Sequence, residues 1–216
     1  MIERAQGLIL RTRPLTDTSL IVHWLTPDLG RIATVARGAR RPKSPFRGKL
    51  DFLYRADFSF SRSRRSELHL LHEVVLRDTH RVLREELECL RLASFCVALI
   101  EQTTESDTPL PSIFQLLANV LDGLASPLSR TLTVFAFEMK LLTELGLGPN
   151  LEKAKLSAGG RKVLEAVATM EWTALPRLKL SGSQTGEIAR FLHGFLTYHL
   201  GKVPPGGNLP APTAVR

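Results

Sequence analysis

Residues 49–61 read KLDFLYRADFSFS. Leu50, Phe52, Tyr54, Ala56, Phe58 and Phe60 fall on one side of a two-residue period, and Lys49, Asp51, Arg55, Asp57, Ser59 and Ser61 fall on the other. Leu53 is the sole exception. Successive side chains of an extended chain point to opposite faces, so the spacing predicts a strand over Lys49–Ser61 with one face in a core. Upstream, strands are expected over Gln6–Arg13, Ser19–Thr26 and Arg31–Arg37, with Pro27, Asp28 and Gly30 turning the chain between the last two. Downstream, Glu67–Leu76 sets Leu68, Leu70, Val74 and Leu76 on one face. Five short strands with short connections suit a small antiparallel barrel, because closure removes unpaired edges, and five is the strand number of the OB-fold.

From Asp78 the period lengthens to that of a helix. Asp78 or Thr79 can cap a helix running to about Gln102, with Leu83, Leu87, Leu90 and Val97 on a common face. Further helices are expected over Ser112–Ala125, over Leu128–Leu145, and over Arg161–Met170. The second of these is apolar nearly all round, so it should be the central one. Ser181-Gly182-Ser183-Gln184 matches a capping box ahead of Ile188, Phe191, Leu192, Phe195 and Leu196, and Gly201 ends that helix. The predicted fold is α+β: an N-terminal five-stranded OB barrel over residues 1–77, an all-α domain over 78–202, and a disordered tail over 203–216 with almost nothing to bury.

The charge is placed unevenly. The 216-residue chain carries 29 Lys and Arg against 21 Asp and Glu, a formal net charge of +8. Residues 1–80 hold 15 basic against 8 acidic side chains, and the remainder holds 14 against 13. Within the first part, residues 30–50 (GRIATVARGARRPKSPFRGKL) contain Arg31, Arg37, Arg40, Arg41, Lys43, Arg47 and Lys49 and no acidic residue. Crowded like charges cost folding free energy unless a polyanion neutralises them, so this loop is the candidate phosphate track. Phe46, in the same loop, is the candidate ring on which a base could stack, because Phe52, Tyr54, Phe58 and Phe60 share the core face.

Other chemistry finds little support. Gly38-Ala39-Arg40-Arg41-Pro42-Lys43-Ser44 imitates a phosphate-binding P-loop, yet Pro42 stands where the second glycine belongs and supplies neither the N–H nor the positive φ of a phosphate nest. His69 and His72 point to opposite faces of a strand, and His193 and His199 diverge on a helix, so neither pair makes a metal site. No nucleophile–base constellation is evident, and no catalysis is expected. Cys89 and Cys96, seven residues apart on one helix, lie about 10 Å apart and are expected as buried reduced thiols. The apolar run Gly7–Leu10 is too short for a signal peptide or a membrane span, so a cytoplasmic protein is expected.

Three segments carry a resemblance that runs from about residue 5 to 200: Leu29-Gly30-Arg31, Ala36-Arg37-Gly38-Ala39-Arg40-Arg41, and Glu144-Leu145-Gly146-Leu147-Gly148-Pro149. In their order and setting they resemble the RecO family of bacterial DNA repair proteins, the recombination mediators of the RecF pathway. The resemblance implies an OB-fold followed by a helical domain. It also implies binding of single- and double-stranded DNA, annealing of complementary strands, and action with RecR to load RecA onto DNA coated by the single-stranded-DNA-binding protein. The helical domain would then receive that protein's acidic, hydrophobic C-terminal tail, with Arg130 and Lys140, on or beside the central helix, as candidate contacts. Many relatives carry a four-cysteine zinc module after the LGLGP segment; Asn150–Gly160 here has no cysteine, so no zinc is expected. Charge pattern alone also permits an OB-domain RNA-binding or ribosome-associated factor, which competition between matched DNA and RNA strands would separate.

Overall fold

The computed structural model describes residues 1–206. Strands β1 (Ile2–Pro14), β2 (Leu20–Thr26), β3 (Gly30–Ala36), β4 (Arg55–Ser61) and β5 (Leu68–Asp78) close a barrel in the order β1-β2-β3-β5-β4. All pairings are antiparallel except β3 with β5, which are parallel through Ala33–Leu68, Thr34–His69 and Val35–Leu70. This is the connectivity of an OB-fold. β1 serves two neighbours: Ile2–Leu8 pairs with β4 and Leu8–Pro14 with β2, and an irregularity between Ile9 and Arg11 bends the strand from one to the other. The interior is filled by Ile9, Val22, Trp24, Ile32, Phe58, Phe60, Leu71 and Val74. Trp24 stacks on Phe58 with ring centroids 4.0 Å apart, and its indole N–H donates to Thr34 Oγ1 at 2.9 Å, which satisfies the one polar atom the ring brings inside.

Two strands differ from the alternation read in the sequence. β4 begins at Arg55, and Asp51–Tyr54 forms a turn instead, with Tyr54 N donating to Asp51 O. Leu53, the off-period residue, is the cause: it is fully buried, takes a left-handed φ of 59°, and its N–H donates to Ile9 O at 2.7 Å. In β5 the inward residues are His69, Leu71 and Val74, because the pairing with β4 skips a residue between Ser59–Glu73 and Phe60–Leu71 and shifts the phase. Leu68 and Leu70 are accordingly only half-buried.

The helices are α1 (Val82–Glu85), α2 (Leu87–Thr103), α3 (Pro111–Leu124), α4 (Arg130–Glu144), α5 (Ala158–Thr169) and α6 (Gly182–Leu200), with a 3-10 turn over Trp172–Arg177. The single helix expected from Asp78 is thus two, broken at Glu86, and the break removes Leu87 from the expected apolar stripe; it is exposed. α2 buries Cys89, Leu92, Ala93, Phe95, Cys96, Leu99 and Ile100 instead. α4 is buried on nearly all sides from Arg130 to Leu142, as its composition predicts, and only its last turn is exposed; Leu132, Phe135, Ala136 and Met139 pack with Val163, Leu164 and Val167 of α5 and Ile188 and Leu192 of α6. Both halves of the Ser181 capping box form: Ser181 Oγ accepts from Gln184 N, and Gln184 Oε1 accepts from Ser181 N. Cys89 and Cys96 are buried free thiols.

Packing divides the chain into two units, residues 1–81 with 104–115 and residues 82–103 with 116 onward. The segment 104–115 joins the first unit through bonds to the β2–β3 turn: Asp107 N donates to Arg31 O at 3.0 Å and Leu110 N to Pro27 O at 3.1 Å. Of the tail expected to be disordered, residues 207–216 lie outside the described residues; Val203–Gly206 is described, and Gly206 sits against Arg91 and Phe95 of α2. No helix among the described residues is long and apolar enough to cross a membrane.

Candidate nucleic-acid interface

The β3–β4 connection contains no helix. It is a succession of tight turns, with Ala39 N donating to Ala36 O, Arg41 N to Gly38 O, Ser44 N to Arg41 O, Arg47 N to Ser44 O and Lys49 N to Phe46 O. Gly38 and Gly48 supply the left-handed φ values of 67° and 72° that such winding requires. The loop is fastened at two places. Arg40 N donates to Thr18 O at 2.9 Å, tying it to the β1–β2 turn, and the Phe46 ring enters the barrel core.

Phe46 therefore corrects the expectation of a stacking platform: at 6% exposure its ring has no free face for a base, and it acts as the loop's anchor. The cations fall into two groups. Arg37, Arg40, Arg41, Lys43 and Arg47 are exposed, whereas Arg31 and Lys49 are half-buried. Arg31 donates through Nη2 to Thr104 O, so it holds the 104–115 segment. Among the described residues, Arg37, Arg40, Arg41, Lys43, Arg47 and Lys49 form no ion pair; Arg47 donates to Pro42 O at 3.3 Å.

Beside this loop lies a cleft of about 750 Å³ lined by the β1–β2 turn, the end of β3, the start of the basic loop, the end of β4 and the start of β5. Arg37, Arg41 and Arg62 line it together with the hydroxyl residues Thr16, Thr18, Ser19, Ser61 and Ser63. Such a lining offers charge and donors to phosphate oxygens. Arg62 is steadied by Glu3, its Nε lying 3.0 Å and 3.1 Å from the two carboxylate oxygens. The cleft's position matches the surface on which OB-folds hold oligonucleotides, between the β1–β2 and β4–β5 loops.

Sequence reading missed Arg62, Arg64 and Arg65. The signal was present as the run RSRR at 62–65, but it lies in a short strand connection, and its meaning depends on barrel closure bringing that connection beside Arg37 and Arg41. Also missed was a second basic band on β1–β3. Arg11 pairs across from His23, and the His23 imidazole is pushed down to about 4 by burial first, and then by the charges of Arg11, Arg13 and Arg31. His23 is therefore neutral at pH 7, beside three guanidinium groups.

The two cations expected to receive a partner's tail are committed elsewhere. Arg130 is 7% exposed; its Nε donates to Leu124 O at 3.0 Å and its Nη2 lies 2.8 Å from Glu86 Oε2. Lys140 donates to Ala168 O at 3.1 Å and stands 5.8 Å from the centre of the Trp172 ring. Burial holds its ammonium below the usual lysine range. Both act as braces of the helical unit, because the carbonyls and carboxylates they satisfy belong to this chain.

Among the described residues no cluster of three or more His, Cys, Asp or Glu could hold a metal ion. The segment following LGLGP is occupied by local caps. Asn150 Oδ1 accepts from Glu152 N and Lys153 N, and Ser157 Oγ accepts from Gly160 N at the start of α5.

The fold and the cleft together define an OB-barrel protein with a basic, hydroxyl-lined cleft on the barrel, joined to a helical unit. Comparison with known proteins places it more closely. Residues 1–80 match the family described as recombination protein O N terminal, and residues 84–154 match recombination protein O C terminal. Proteins named DNA repair protein RecO are similar: that of Exiguobacterium sibiricum is 28% identical over 70% of this chain and 60% of its own length. That of Rhodopirellula baltica is 32% identical over 68% and 54%, and that of Bacillus subtilis 31% over 70% and 58%. The chain belongs to the RecO family. It aligns with little more than half the length of these three relatives.

Proposed function

We propose that this chain is a non-enzymatic DNA-binding mediator of recombinational DNA repair, acting in the cytoplasm. The observation that carries the reading is the cleft where Arg37 and Arg41 of the basic loop meet Arg62 of the β4–β5 loop. Arg40, Lys43, Arg47 and Lys49 extend this charge along the loop, and Arg64 and Arg65 extend it on the other side. Phosphates entering here are neutralised without a required base sequence, which suits both single- and double-stranded DNA. Since every large ring of the barrel interior is buried, bases would be left unstacked by this surface and free to pair. Two complementary strands neutralised on one protein can then anneal, a process that needs no bond-making residue.

Family membership supports the remaining parts of the reading: cooperation with RecR, loading of RecA onto coated DNA, and docking of the single-stranded-DNA-binding protein's tail on the helical unit. Arg130 and Lys140 are not the contacts for that tail in this reading, given their internal partners. The test is strand annealing at several salt concentrations, with and without the single-stranded-DNA-binding protein. Acceleration that weakens with salt and is lost in the Arg37→Glu/Arg41→Glu/Arg62→Glu variant supports the reading. Equal annealing by that variant rejects it.

A further inference from the structure

One face of α6 carries an aromatic row that starts at the helical core, against which Phe191 packs, and runs out to the exposed Tyr198 and His199. Phe191 and Phe195 are half-buried with ring centroids 6.0 Å apart, His199 follows 4.5 Å from Phe195, and Tyr198 meets His199 edge-on at 5.0 Å. Tyr198 is 84% exposed. A single exposed ring is ordinary, but Tyr198 lines the same groove as Phe191 and Phe195, so the three make one aromatic patch. The rings border a groove of about 630 Å³ whose other lining residues include Gly194, Lys155 and Arg190. A Cβ built on Gly194 would meet nothing within 4 Å, so the space beside the rings is clear. The one carboxylate in the lining, Glu187, already accepts from Ser157 N and Ser157 Oγ at 2.6 Å each. Lys155 and Arg190 are both exposed.

We infer that this face of α6 is a second nucleic-acid site, which stacks bases of a single strand on Phe191, Phe195 and Tyr198 while Lys155 and Arg190 take its phosphates. Flat rings with positive charge alongside are what sequence-tolerant single-strand binding requires, because every base has a π-face and every nucleotide a phosphate. The chemistry differs from that of the barrel cleft, which offers charge and hydroxyls but no exposed ring. An acidic, hydrophobic peptide would also answer to Lys155, Arg190 and the rings, and it is the alternative that the test separates. The family models end at residue 154, so most of this groove lies outside the segments they match.

The test uses the full chain carrying Arg37→Glu/Arg41→Glu, so that the α6 contribution is not masked by the barrel. Gly194→Leu fills the groove in open space, and Tyr198→Ala removes the most exposed ring; thermal melts establish that both fold. Fluorescence anisotropy is measured with oligothymidylate, with an abasic oligomer of equal length and with an acidic peptide. Each variant is expected to weaken oligothymidylate binding on the order of tenfold while leaving the abasic oligomer unchanged. The inference is overturned if the variants leave oligothymidylate binding intact, if no base-dependent binding survives the barrel substitutions, or if the peptide alone is displaced. It is equally overturned if Gly194→Leu merely dissolves a dimer of this chain. Those outcomes leave the barrel reading standing, since that rests on the loss of annealing caused by the barrel substitutions themselves.

Discussion

A Cβ placed on Gly30 would stand 1.8 Å from the carbonyl oxygen of Thr108. Gly30 also has a φ of 67°, and Thr26 Oγ1 donates to its carbonyl at 2.9 Å. The glycine thus makes the tight β2–β3 turn and gives the 104–115 segment room to lie on it. Gly30→Ala meets both a left-handed backbone and a backbone clash that no side-chain rotation relieves. Its expected cost is on the order of 3 kcal/mol. Urea unfolding read by tryptophan fluorescence in a Trp172→Phe background, where Trp24 alone reports, checks this, and an unchanged midpoint would contradict the packing described.

The salt dependence of DNA binding should report the cleft. On single strands each neutralised phosphate contributes a slope of about −0.7 in log affinity against log salt. Replacing Arg37, Arg41 and Arg62 together by Ala is expected to flatten the slope by about 2. The corresponding triple change at Lys153, Lys162 and Lys179, in the helical unit, is expected to alter the slope far less. Equal effects from the two triples would mean that charge is read globally and that the cleft has no special part.

Phe46→Ala should act on stability more than on affinity. The ring is packed with Ile9, Val22, Trp24 and their neighbours in the barrel core, and truncating such a phenylalanine costs about 3 kcal/mol or more. Phe46→Leu keeps most of the volume, so it is expected to bind DNA as the wild type does. A Leu variant that folds normally yet loses base-dependent binding would restore the stacking role first read from the sequence.

Glu138 gives a pH signature. Burial pushes its carboxyl from 4.5 up to about 8, so the folded protein holds a proton there that the unfolded chain releases. A raised pKa stabilises the fold below the unfolded value and loses that contribution as pH rises through the folded one. Relative to Glu138→Gln, the wild type should therefore lose about 3 kcal/mol of stability between pH 4.5 and 7, and the difference should level off above pH 8. Paired denaturation curves across that range measure it, and parallel curves would mean the carboxyl is solvated.

The alternation reports the barrel only over Arg55–Ser61, where burial of one face imposes it, and the capping box at Ser181 is legible because its bonds join residues three apart. What was illegible depends on distant partners. Nothing local distinguishes Leu53 as a left-handed residue bonded to Ile9, and nothing near His69 announces the irregularity opposite Phe60 that turns it inward. The basic loop was visible as composition. Which of its members face a cleft was not, since Arg62 joins Arg37 and Arg41 only after β4 and β5 have folded. Phe46 misled for the same reason: a lone ring among cations reads as a platform until the core it plugs exists. A positive charge beside an apolar helix, as at Arg130 and Lys140, reads the same in sequence whether it braces this chain's own carbonyls or receives a partner.

The barrel is sealed between β3 and β5 by only three facing residue pairs. The cleft straddles this seam, with Val35 and Arg37 on one lip and Leu68, Leu70 and Arg62 on the other. A polymer lying across it would staple the cylinder shut along its shortest zipper, so amide protons of Ala33–Val35 should exchange more slowly in the complex than neutralisation of charge alone would bring about.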